Sequence, residues 1–118
     1  MRAADRPARA RAQARPDGVL AVAGDLTFET VPEIYAESRP WFERAGGRIT
    51  VDLAEVQRAD SAGLALLIEW LRRARARGVP IAFVDVPEQL QSLARVHGVG
   101  GALGLGNNDA AAGGASPP

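Results

Sequence analysis

The sequence predicts a small α/β fold: a mixed sheet of about four strands, made of an edge hairpin plus parallel strands, with helices mainly on one face. Short apolar or β-branched runs alternate along the chain with stretches of helical periodicity. Such alternation implies parallel pairing through right-handed crossovers, and the supply of strands is too small for a doubly wound sheet with a large ligand crevice. At 118 residues, 47% of them hydrophobic, the chain holds one compact domain with a modest core.

Taken in order, Pro16-Asp17-Gly18 is a turn signal, because proline presets φ and glycine tolerates φ > 0. Behind it Gly18 to Ala23 is a short apolar strand, and a weak strand at about Arg11 to Arg15 pairs with it as a hairpin. Thr30-Val31-Pro32-Glu33 combines a capping box with a proline in the first helical turn, and Val31, Ile34, Tyr35, Ser38 and Phe42 follow at helical spacing. Pro40 predicts a kink or break near Arg39, and Gly46-Gly47 closes the segment. Arg48 to Leu53 alternates as a strand with Ile49, Val51 and Leu53 on one face, and a loop then runs to Asp60. Ser61 to Arg77 is the best-marked helix, with Leu64, Leu67, Ile68 and Leu71 in one stripe and a basic last turn before Gly78. Ile81 to Val86 is the last strand, and Pro87 to Val96 a helix that buries Leu90, Leu93 and Ala94 and stops at Gly98.

Composition divides the chain into three zones. Residues 1–16 carry five arginines against one acid and almost no large apolar side chain, which reads as a mobile Arg/Ala-rich arm. Residues 17–105 form the folded body, with nine arginines against twelve acids, and residues 106–118 are a small-residue tail expected to be disordered. Basic and acidic residues cancel at 14 each, so nucleic acid is not an obvious partner. No cysteine and a single histidine exclude thiolate chemistry and most zinc sites. Asp25, Asp52, Asp60 and Asp85 lie near strand ends, where carboxylates bind metals but more commonly cap helices and anchor turns. No second type of ligand accompanies them, and neither a metal nor another cofactor is expected. His97 falls where a helix end favours a positive group, and no nucleophile–base pair emerges, so the chain is not expected to be an enzyme. The glycine-rich run 98–104 has no preceding strand and no lysine, and reads as a helix stop rather than a phosphate loop. Neither a membrane span nor an apolar signal core is present in the sequence, so a cytoplasmic protein without direct membrane insertion is expected.

The informative segment is Asp60-Ser61-Ala62-Gly63. Asp60 is placed to accept hydrogen bonds from the first free amides of the helix, and Ser61 follows in a turn whose aligned dipoles stabilise negative charge, a geometry that tolerates a phosphate. Ala62 and Gly63 are small, so another surface can approach the backbone there. With about 100° between successive residues, Leu66 and Trp70 point away from the Leu64 stripe. They are either exposed anchors for a partner or covered by the neighbouring helices.

Asp60-Ser61-Ala62-Gly63-Leu64-Ala65-Leu66-Leu67, with VDL at 51–53, RADSAGLALLIEWLRRA at 58–74, IAFVDVPEQL at 81–90 and LARVHGV at 93–99, resembles the STAS domain family, in particular its MlaB branch, over residues 17–105. The resemblance implies a non-enzymatic cytoplasmic subunit, peripheral to the inner membrane, that binds and supports the MlaF-like ATPase of a phospholipid ABC transporter maintaining outer-membrane lipid asymmetry. It implies a partner surface of Asp60, Ser61, Ala62, Gly63, Leu66 and Trp70. Ser61 also matches the phosphorylated serine of the anti-sigma factor antagonists, which makes a phosphorylation-controlled antagonist the alternative. Ala62 stands where those antagonists usually carry Ser or Thr, a departure that weakens this second reading.

Overall fold

A computed structural model describes residues 9–105. Four strands pair in the order β1-β2-β3-β4: β1 (Arg11–Arg15), β2 (Val19–Leu26), β3 (Ile49–Ala59) and β4 (Ile81–Val84). β1 and β2 form the antiparallel hairpin; β2–β3 and β3–β4 are parallel. The helices are α1 (Val31–Arg44), α2 (Ser61–Ala76), α3 (Glu88–Val96) and a single short turn, α4 (Gly100–Leu103). The mixed α/β sheet of four strands agrees with the sequence reading.

Alternation along the strands puts Leu20 and Val22, Ile49, Val51 and Leu53, and Phe83 into the core under the helices. The opposite face carries Ala21 between Gln13 and Asp52, and over this small residue Arg15 of β1 reaches Asp52 of β3 at 3.5 Å.

Several expectations are corrected. Arg11–Arg15 and Pro16, placed by composition in the mobile arm, form β1 and the start of the 3-10 turn Pro16–Gly18. Ala10 is buried, and Arg9 pairs with Glu33 at 3.0 Å. The rest of the arm (1–8) and the tail (106–118) lie outside the described residues. Pro40 does not break α1, since it and Ala36, whose carbonyl loses its helical donor, both lie on the exposed face where water can satisfy that oxygen. Thr30 makes no capping box; its hydroxyl donates to the Asp25 carbonyl and accepts from the Thr27 amide, closing the β2–α1 loop. The predicted loop 54–59 is strand, paired with β2 as far as Leu26 and Ala59 across two register irregularities that disrupt the alternation. β4 ends at Val84, because Asp85 turns to φ 54°.

Candidate functional site

The carboxyl ends of β2 and β3 converge on the first turn of α2, the end of an α/β sheet where helix N-termini and loops gather. Asp60, the N-cap, has extended backbone, and its N–H donates to the Leu26 carbonyl at 3.1 Å. Its carboxylate is used on both sides: Oδ1 accepts from the Ala62 amide at 2.8 Å and Oδ2 from the Phe28 amide at 3.2 Å. A single residue therefore caps α2 and ties the β2–α1 loop to it. Gly63 is buried, and a Cβ there would stand 2.8 Å from the Leu26 carbonyl oxygen. Glycine is thus required by the chain's own close packing, not by the approach of another surface.

The structure separates the six expected partner residues. Ser61 is exposed, Asp60 and Ala62 are half-buried, and Gly63, Leu66 and Trp70 are buried. Leu66 and Trp70, at 2% and 1% exposure, are not available to a partner. Trp70 stacks on Phe42 of α1 with ring centroids 5.3 Å apart and planes 14° apart, while Tyr35 donates to Glu69 at 3.4 Å and Arg73 lies over the Tyr35 ring. With α1 against it, and α3 and α4 also in contact, α2 is covered on both flanks. Its buried arc runs from Leu66 at about 140° to Leu64 at about 300°, counting from Ser61 at about 100° per residue. The centre of that arc falls between the two faces inferred from the sequence.

What α2 leaves to solvent is a stripe of Ser61, Ala65, Arg72, Arg75 and Ala76, with Ile68 half-buried beside it. Beside its start lies a residue that sequence reasoning missed. Phe28 is 73% exposed, on the loop held by Asp60. The available signal was an aromatic ring isolated among Thr27, Glu29 and Thr30, outside any apolar periodicity. The corner therefore presents a hydroxyl and an aromatic ring to solvent beside the small side chain of Ala65.

Among the described residues, no group of three or more His, Cys, Asp or Glu side chains could hold a metal ion, and no helix is long and apolar enough to cross a membrane. His97 is the exposed C-cap of α3, and the glycine-rich run forms α4 and its left-handed stop at Gly104.

The chain is similar in fold to two solved structures of the anti-sigma factor antagonist SpoIIAA. The unphosphorylated form matches with TM-score 0.62 and 16% identity, covering 78% of this chain and 83% of that one. The phosphorylated form, described as a Bacillus cell fate determinant, matches with TM-score 0.60 and 18% identity, covering 78% and 86%. No curated protein matches the chain. The family model described as "Mlab, STAS domain" matches residues 10–106, nearly the whole described fold, and the chain belongs to that MlaB-like STAS family.

Proposed function

We propose that this chain is a non-enzymatic interaction subunit which docks onto the ATPase of a phospholipid ABC transporter of the Mla type, on the cytoplasmic face of the inner membrane, and supports the transport that keeps outer-membrane lipids asymmetric. Membership of the MlaB-like family supports the class of partner. The observation that carries the docking mode is the pairing of an exposed Ser61 with an exposed Phe28, whose backbone amide Asp60 ties to the start of α2. An aromatic ring has only two side-chain torsions to lose on binding and buries a large apolar area, the property of an interface anchor. Ser61 stands at the closest approach, where a bulky or charged group would hold the partner away.

Co-purification with the transporter ATPase tests this. Phe28→Ala and Ser61→Arg each lose the ATPase while keeping a cooperative melt at the wild-type temperature; retention of the ATPase by both variants refutes the docking mode.

The exposed hydroxyl in the first turn of α2 also favours a second reading, a phosphorylation-controlled antagonist. The Ser61 N–H donates no hydrogen bond among the described residues, and the helix dipole favours an anion there. Asp60 opposes it, since its carboxylate already occupies the helix start. Incubation with candidate kinases and ATP, followed by intact mass measurement, decides: no mass gain on Ser61 eliminates the switch.

A further inference from the structure

At the opposite end of the sheet, where the parallel strands begin, a cleft of about 570 Å³ opens between the end of α1 and the β1–β2 turn. Trp41 and Arg44 form one wall, the Gly46-Gly47-Arg48 loop the floor, and Asp17 with Gly18 the other wall. Its frame is firm: Gly18 has φ +74°, and a Cβ on it would overlap the Arg48 carbonyl, so the turn and the loop pack backbone against backbone.

We propose that this cleft binds a phosphate group carried by a small molecule or a lipid head. Four observations converge. Arg44 and Arg48 are exposed and have no ion-pair partner among the described residues; Arg11, Arg75, Arg77 and Arg95 also face no carboxylate, but of these six only Arg44 and Arg48 line the cleft. The amides of Gly46, Gly47 and Arg48 donate no hydrogen bond within the described protein. Neither glycine has a left-handed φ, and a Cβ on either would meet nothing within 4 Å, so neither the turn nor the packing demands glycine; its effect is to leave the backbone donors accessible. The negative end of the α1 dipole, which would repel an anion, is already occupied, since Arg77 donates to the carbonyls of Phe42 and Ala45. Two guanidiniums and a run of free amides match the several acceptor oxygens of a phosphate, and the half-buried Trp41 ring gives the rest of the ligand a surface to lie on. Asp17 is the one carboxylate lining the cleft, and it limits the affinity.

The test titrates the full chain with inorganic phosphate and with glycerol phosphate, following the amide resonances of Gly46 and Gly47, and measures co-sedimentation with phosphatidylcholine vesicles with and without phosphatidylglycerol. Saturable shifts with the soluble anions identify a soluble ligand; binding only to the phosphatidylglycerol vesicles identifies a lipid head. In either case Arg44→Gln and Arg48→Gln each weaken binding about tenfold, as for loss of a charge-assisted hydrogen bond, the double variant abolishes it, and Asp17→Asn strengthens it. All four variants are surface changes with unchanged melts, and Ser61→Arg leaves this binding intact, which separates the cleft from the docking corner. Absence of binding to every probe overturns the proposal, as does binding that survives in the double variant.

Discussion

Trp70→Ala is a stability variant, not a binding variant. The indole is 1% exposed and stacked on Phe42, so truncation removes most of a large buried apolar surface and leaves Phe42 facing a void between α1 and α2. Truncations of buried aromatic residues to alanine cost ~3–5 kcal/mol, with the aromatic pairing contained in that figure. A domain of this size holds about 5–15 kcal/mol in all, so between a fifth and the whole of its stability is at stake. With about 4–8 °C of melting temperature per kcal/mol for such domains, the midpoint falls by at least about 12 °C. Thermal unfolding followed by far-ultraviolet circular dichroism measures it, with Phe28→Ala as the matched control: that aromatic ring is 73% exposed, and its loss changes stability by less than about 0.5 kcal/mol. If Trp70→Ala melts with the wild type while Phe28→Ala does not, the packing assigned to α1 and α2 is wrong, and with it the choice of Phe28 over Trp70 as anchor.

Other outcomes follow from single contacts. Gly63→Ala places a methyl against the Leu26 carbonyl and loses about 1–3 kcal/mol of stability in chemical denaturation despite alanine's better helix propensity; a stabilised variant would show that α2 does not approach β2 so closely. Asp60→Ala removes the cap of α2 and the tether of Phe28 together, lowering stability by about 1–2 kcal/mol and accelerating amide exchange at Phe28 and Ala62, whereas Asp60→Asn, whose one acceptor oxygen keeps only one of the two bonds, falls between Asp60→Ala and wild type. Arg15→Ala breaks a half-exposed ion pair and shifts stability by less than about 1 kcal/mol by the same measurement, while a larger loss would mean that the cross-strand bridge to Asp52 organises the hairpin.

The sequence by itself determined what depends on neighbours along the chain. The turn at Pro16-Asp17-Gly18, the cap at Asp60, the alternation of Ile49, Val51 and Leu53 and the long periodic helix from Ser61 are local signals, and together they sufficed for the mixed four-stranded architecture and the exposed serine at the start of α2. Only the tertiary structure decided how much of α2 is covered. Periodicity orders the side chains around a helix, but the width of the buried arc depends on how many elements press against it, and with α1 on one flank and α3 and α4 also packed against it, Leu66 and Trp70 pass inside. The same holds for Phe28, whose backbone is placed by a hydrogen bond to a residue 32 positions away, and for β3 beyond Leu53, whose pairing with β2 runs through bulges that erase the alternation. Contacts between residues far apart in the chain have no periodic trace in it, and they selected the face left to solvent.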